Sequence, residues 1–323
     1  MTSMRAIANY VLILGILAGG LVPGGCQPTT SPAQAPAPSL RFPVRQTGLI
    51  AAAELVETSG VACARREADL LWMVNDGGHA PLLFAVRSDG RDLGGVAVSG
   101  AVNYDWEDLA GFEWEGRSYI LIADVGDNQA VRDAVHVYVV AEPTRRPDGS
   151  FPARVDVAWQ FAFRYADGPR DCEAVGVDPR RGTILLVTKR TRPPQLYALP
   201  LRPEAGAAAE ARRIGVLPRI PPPTVADRAN HPRFGALFSQ PTAMDIRHDN
   251  RLAVVLTYKD AYLFSRRNGE DWADTLARAP LTVALPHLRQ KESACLTPDG
   301  RRLYVTTEKR PAPILAVTLA PMP

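Results

Sequence analysis

The chain has 323 residues, 46% of them hydrophobic and 22% charged. That is enough apolar material for one large core or two ordinary ones, and it excludes a disordered polymer. Its 37 basic and 34 acidic residues are well mixed and leave a net charge of only +3, so no basic face advertises a nucleic acid, and none is expected as a partner.

At the N-terminus Arg5 precedes VLILGILAGGLV (11–22), an apolar run too short and too glycine-rich for a comfortable membrane span. Residues 1–25 therefore read as a signal peptide of lipoprotein type. PGGC (23–26) sets small residues before Cys26, although Pro23 departs from the usual small or aliphatic choice. The alternative cleavage site, after AQA (33–35), is disfavoured by Pro36 and would give a periplasmic or secreted protein. The expectation is an exported, monomeric chain held at the cell envelope by a lipid on Cys26. Residues 26–44 form a Pro/Ala-rich tether without means of packing a core, and 45–323 form the folded domain. Cys63, Cys172 and Cys295 are an odd number at wide spacing, so one bridge at most can form; three buried apolar thiols are the plainer expectation.

From about residue 45, short β-rich runs follow one another, among them LLWMV (70–74), LLFAV (82–86), YILIA (119–123), VHVYVV (135–140), ILLVT (184–188), LAVVLT (252–257) and RLYVTT (302–307). Turn sequences such as SDG (88–90), PRRG (179–182) and PDG (298–300) separate them, and helical periodicity is nearly absent. The alanine-rich stretch 204–213 reads as a loop or one short helix. One phrase recurs five times, opening as ETSGVACA (57–64), DWEDLAGF (105–112), DCEAVGVD (171–178), PTAMDIRH (241–248) and KESACLTP (291–298). After each come a turn, a second apolar strand and a polar ending: NDGG, ADVGDN, VTKR, TYKD and TEKR.

Four strands per unit is the pattern of a β-propeller blade. The last unit lacks a fourth strand, and TGLIAAAEL (47–55) is available to close it, which would remove open sheet edges. The fold expected is all-β, a five-bladed β-propeller, with six blades as the alternative if the proline-rich segment 200–240 hides another.

In such a fold the first strand of each blade lines the axis, so the five openings bring Ser59, Glu107, Glu173, Thr242 and Glu292 to equivalent places. Converging carboxylates repel unless protons or a cation intervene. Three carboxylates and two hydroxyls suit the oxygen-rich shell of Ca²⁺, whereas the scattered histidines and cysteines disfavour zinc. The competing reading is strand capping by ordinary polar residues. In the fourth opening Asp245 competes with Thr242. Within DWEDLAGF, Asp105 and Asp108 are expected to organise the turn, and Trp106 to pack between blades. Gly77, Gly78 and Gly126 are expected in tight turns with positive φ.

The order Ser, Glu, Glu, hydroxyl, Glu at five openings resembles the calcium-activated nucleotidases, the soluble apyrases. The resemblance covers these openings and the strand ends between about 57 and 310. It implies a five-bladed propeller with one axial calcium, ligated by Ser59, Glu107, Glu173, Glu292 and, where that family has serine, Thr242. It also implies hydrolysis of phosphoanhydrides in nucleotides or another small phosphorylated substrate.

The strand ends offer matching chemistry. Asp76 and Asp127 are base candidates; Arg132, Lys189, Arg190, Lys259 and Lys309 are candidate phosphate ligands. Solvation of strand ends is the competing explanation of these charges. Two other functions stay open: a non-catalytic binding propeller at the envelope, with an envelope partner and a structural calcium, and a lactonase or esterase that would not need the lysines.

Overall fold

The computed structural model describes residues 42–320 except 205 and 207; the expected signal peptide, Cys26 and most of the expected tether lie outside them. Among the described residues twenty strands form sheets of four, twelve and four, the largest being three antiparallel four-strand units joined by short parallel pairings. Strand β1 (Val44–Leu49) precedes the first unit, β2 (Thr58–Cys63), β3 (Leu70–Asn75), β4 (Leu82–Arg87) and β5 (Asp92–Ser99). The second is β6 (Trp106–Trp114), β7 (Arg117–Asp124), β8 (Val135–Ala141) and β9 (Arg154–Tyr165). The third is β10 (Cys172–Asp178), β11 (Thr183–Thr188), β12 (Gln195–Pro200) and β13 (Ala209–Val216). Helix α1 (Val225–Asn230) leads to the fourth unit, β14 (Pro241–Ile246), β15 (Leu252–Thr257), β16 (Ala261–Ser265) and, after helix α2 (Trp272–Ala277), β17 (Leu281–Val283). The fifth is β18 (Lys291–Leu296), β19 (Arg302–Thr307) and β20 (Pro313–Thr318), completed by β1.

All five recurring openings become first strands, and these are deeply buried. Every residue of β2, β10, β14 and β18 is buried, whereas β9 alternates exposed and half-buried positions for most of its length. Burial on both faces explains why the openings read as apolar runs instead of alternating ones. Each first strand packs beside those of its neighbours, β2 by β6, β6 by β10, β10 by β14, β14 by β18 and β18 by β2.

The core repeats the same order. One apolar cluster joins units one and two around Trp72 and Trp106; others join two and three, three and four, and four and five. The last joins five back to one through Tyr304, Ile314 and Phe84. Each fully buried large side chain contributes about 2–3 kcal/mol, so this stacking of sheet on sheet supplies the stability that no single sheet closure provides. The result is all-β and propeller-like.

The chain closes as expected, β1 pairing antiparallel with β20, although only the first part of 47–55 is strand. Two expectations change. The alanine-rich stretch forms β13 from Ala209 onward, because pairing with β12 and, in parallel, with the end of β9 outweighs its helical propensity. Among its described residues, segment 200–240 then yields α1 and a short 3₁₀ turn at Gly235–Leu237, with no further four-stranded unit.

Candidate functional site

The five aligned positions share a backbone device. Pairing of first and second strands skips a residue between Thr58 and Gly60, Trp106 and Asp108, Cys172 and Ala174, Pro241 and Ala243, and Lys291 and Ser293. The skipped residues are Ser59, Glu107, Glu173, Thr242 and Glu292. A β-bulge leaves one residue outside the ladder and re-aims its side chain, so the recurrence in sequence marks a recurrence in geometry.

Three of the five meet at a cavity of about 240 Å³. Its walls carry the carboxylates of Asp76, Glu107, Glu173, Glu292 and Glu308, opposed by Lys189 and Arg190, with Tyr258 and Gln240 beside them. Ser59 and Thr242 stand at equivalent bulges but do not line the cavity. Ser59 Oγ donates to Glu107 O at 2.8 Å and to Glu107 Oε2 at 3.3 Å, and Thr242 Oγ1 donates to Lys291 O at 2.9 Å. Asp245, the competitor in the fourth opening, lies beyond the bulge and bonds backbone amides.

Lys189 fills the part of the cavity facing units three to five. Its ammonium pairs with Glu173 Oε1 and lies 5.2 Å from the centre of the Tyr258 ring. Burial opposes its charge, but Glu173, Tyr258, Glu292 and Glu107 more than compensate and raise its pKa. Tyr258 in turn donates its hydroxyl to Glu292 Oε1 at 2.8 Å.

On the other side, Asp76, Asp105 and Glu107 bring one carboxylate oxygen each within 4.8 Å of one another. Asp105, expected only to organise a turn, is part of this group. Two glycines make room for it. A Cβ on Gly77 would lie 2.7 Å from Asp105 Oδ1, and one on Gly126 would collide with the carboxylates of Asp105 and Glu107. Of the three glycines expected at positive φ only Gly78 has it, at 81°; Gly77 and Gly126 are required by close approach.

Every acid of this group is held toward protonation. Burial, reinforced by Asp76, pushes Asp105 up to about 6. Burial raises Glu107 and Glu173 well above the usual carboxylate range, and raises Glu292, against the pull of Lys189, to about 7. Glu173 Oε2 is buried and has no hydrogen-bond partner. Hard oxygen donors and a glycine cradle fit a hard divalent cation, with Asp76, Asp105 and Glu107 as its holders.

The remaining expected residues are dispersed. Asp127 accepts from the amides of Val131 and Arg132 at 2.9 and 2.8 Å, so its carboxylate staples a loop. Arg132 donates to Asp124 Oδ1 at 2.7 Å and to Gly126 O. Lys259 reaches both oxygens of Asp227 at 2.8 and 2.9 Å, and Asp227 also forms the capping box of α1 with Thr224, so this lysine anchors the insertion. Lys309 sits 3.5 Å from Glu57 and 3.6 Å from Glu308. Of the basic arc, Lys189 and Arg190 alone line the cavity. Sequence reasoning missed Asp105 and Glu308; the spacing of Asp105 two residues before Glu107, which favours a shared face, was the available signal.

No family model and no curated protein matches this chain, so the likeness to calcium-activated nucleotidases rests on the five openings and the strand ends after them. Among solved structures, a gluconolactonase of Xanthomonas campestris is 13% identical over 86% of this chain and 90% of that one, with a TM-score of 0.44. A luciferin-regenerating enzyme is 10% identical over 86% and 95%, with a TM-score of 0.42. The WD40 domain of Neurospora crassa Pan2 is 10% identical over 88% and 98%, with a TM-score of 0.41. Likeness at this level carries no inference about chemistry.

Proposed function

We propose that this chain is a five-bladed propeller that holds Ca²⁺ through Asp76, Asp105 and Glu107 and hydrolyses an uncharged carboxylic ester or lactone at the same mouth. The observation that carries the reading is the state of the cavity's cations: both are already paired, Lys189 with Glu173 and Arg190 with Asp171. A nucleotide's phosphates would have to displace those partners, with Arg132, Lys259 and Lys309 tied to other carboxylates. An uncharged acyl substrate meets no such penalty, which favours the ester reading over phosphohydrolysis.

Bound calcium would supply Lewis acidity toward the acyl oxygen. The protein's own groups have distinct tasks. Glu292, raised to about 7 and hydrogen-bonded by Tyr258, accepts the proton of the attacking water near neutral pH. Lys189 pairs with Glu173 and fixes its direction. Gln240 and Asn128 offer amide groups on the wall for orienting a polar substrate. Export, and attachment through a lipid on Cys26, belong to the same proposal and are supported by residues 1–39 of the sequence.

The test has two arms. Calcium at one hundred times its Kd should stabilise the fold by about 2.7 kcal/mol, read as a melting shift. Calcium-loaded protein should release acid from a panel of aliphatic esters and lactones, and no phosphate from nucleotides. Phosphate release without ester cleavage would overturn the choice of reaction; no calcium shift would overturn the site.

A further inference from the structure

We propose that Cys63 and Cys295 form a disulfide that locks the first unit of the ring to the last. Their Sγ atoms lie 2.8 Å apart, closer than non-bonded sulfurs rest, and reaching a disulfide's roughly 2.05 Å requires a shift of under about 1 Å. The two residues sit on β2 and β18, first strands that pack side by side at the one junction where neighbouring units are far apart in sequence, 232 positions here. Elsewhere round the ring the chain itself connects neighbours. Here the chain crosses only from β1, which the last unit holds by backbone pairing with β20, and further hydrogen bonds span the junction: Ser293 Oγ donates to Ser59 O at 2.9 Å, Thr58 N to Glu308 O at 2.8 Å and Ile50 N to Ala312 O at 2.9 Å.

The third described cysteine does not compete. Cys172 lies on β10 in the cluster between units two and three, and its thiol donates to Val187 O at 3.2 Å. Access favours Cys63, because it forms part of the wall of a 420 Å³ cavity between units one and five, whereas Cys295 is fully buried. Burial, with the neighbouring Cys63, raises the Cys295 thiol well above its usual range, so Cys63 reacts first.

The oxidant is a low-molecular-weight disulfide. The Cys63 thiolate attacks one of its sulfurs, forming a mixed disulfide and releasing one thiol; Cys295 then gives up its proton, attacks Cys63 Sγ and displaces the second thiol. Two electrons and two protons pass from the cysteines to the reagent, which leaves as two thiols. Because the bridge closes so long a loop, its restriction of the unfolded chain is near the upper end for a disulfide.

The experiment uses the full chain, treated with glutathione disulfide, then unfolded and alkylated. The expected result is a protein lighter by two hydrogens before alkylation, with Cys172 alkylated, Cys63 and Cys295 protected until reduction, and one peptide pair joining them after digestion. Reduction should lower the melting temperature by on the order of 10 °C. Cys172→Ser should keep that redox-dependent difference, while Cys63→Ser and Cys295→Ser abolish it. Free alkylation of Cys63 and Cys295 in the oxidised protein, or a bridge that includes Cys172, would overturn the proposal. Because the peptide map is read on the natural sequence, a variant that fails to fold does not blunt the test.

Discussion

Two sets of buried acids occupy the same first strands and behave oppositely. Asp108 and Asp245 are as deeply buried as Glu107 and Glu173, but their oxygens are fully engaged by backbone. Asp108 accepts from Leu109 N at 2.9 Å, Val175 N at 2.9 Å and Met244 N at 3.0 Å, so one carboxylate fastens β6 to β10 and β14. Asp245 accepts from Ile246 N and Leu296 N, both at 2.8 Å, and fastens β14 to β18. At the bulges one residue earlier in β6, and in β10 and β18, the acids face one another, a single lysine and a tyrosine. Amide-satisfied acids hold the fold together; acids left facing each other are the mark of a site that awaits a cation or substrate.

The largest effect that tests this contrast is Asp108→Ala. It strands three buried amides on three inner strands, each costing about 1–3 kcal/mol, partly offset by the acid's own relief from burial. A net loss of about 4 kcal/mol is expected in urea unfolding, and it should not respond to calcium. Glu107→Gln should leave cation-free stability near that of the natural chain or above it, because a repelled acid is removed, while cancelling the calcium-induced melting shift. If Asp108→Ala cost no more than Glu107→Gln, the division into holding acids and site acids would be broken.

The next effect is in pH. Glu292 moves from 4.5 to about 7, Asp105 and Asp245 from 3.8 to about 6, all through burial first. These are acids whose folded pKa lies above the unfolded one, so between about 4 and 7 the folded state binds more protons. Cation-free stability must therefore fall as pH rises through that window, by about 3 kcal/mol for Glu292 alone. Calcium binds the ionised forms of its holders and should remove the share of Asp105, leaving the shares of Glu292 and Asp245, which do not hold the metal. Urea midpoints at pH 5 and pH 7.5, with and without calcium, separate the two contributions; a cation-free chain more stable at pH 7.5 would contradict the assignment.

These contrasts also show what the sequence can express. The five openings were legible because a bulged inner strand needs the same local phrase each time, and Trp106, buried between units one and two with its Nε1 bonded to Val102 O, follows from the same repeat. The role of Asp108 was not legible, since its partners are amides 67 and 136 positions away and amides leave no trace in composition. Asp105 was hidden by a turn whose glycines looked like dihedral requirements and are space for a carboxylate. The lysines looked equivalent at equivalent strand ends, but a long flexible side chain goes where its nearest acid lies, and the acids differ from unit to unit.

The smallest expected effect follows from that inequality. Lys259 and Lys309 are exposed by 39% and 48% and pair with Asp227 and with Glu57 and Glu308, whereas Lys189 is 8% exposed and faces Glu173. Ion pairs open to water contribute under about 1 kcal/mol. Lys259→Met and Lys309→Met should therefore change urea stability by less than that and leave both calcium affinity and ester turnover unchanged. Lys189→Met should shift calcium affinity, because it removes the one buried cation that competes with the metal for the same carboxylates. Equal consequences for turnover from all three substitutions would restore the basic arc as a working unit and, with it, the case for a phosphorylated substrate.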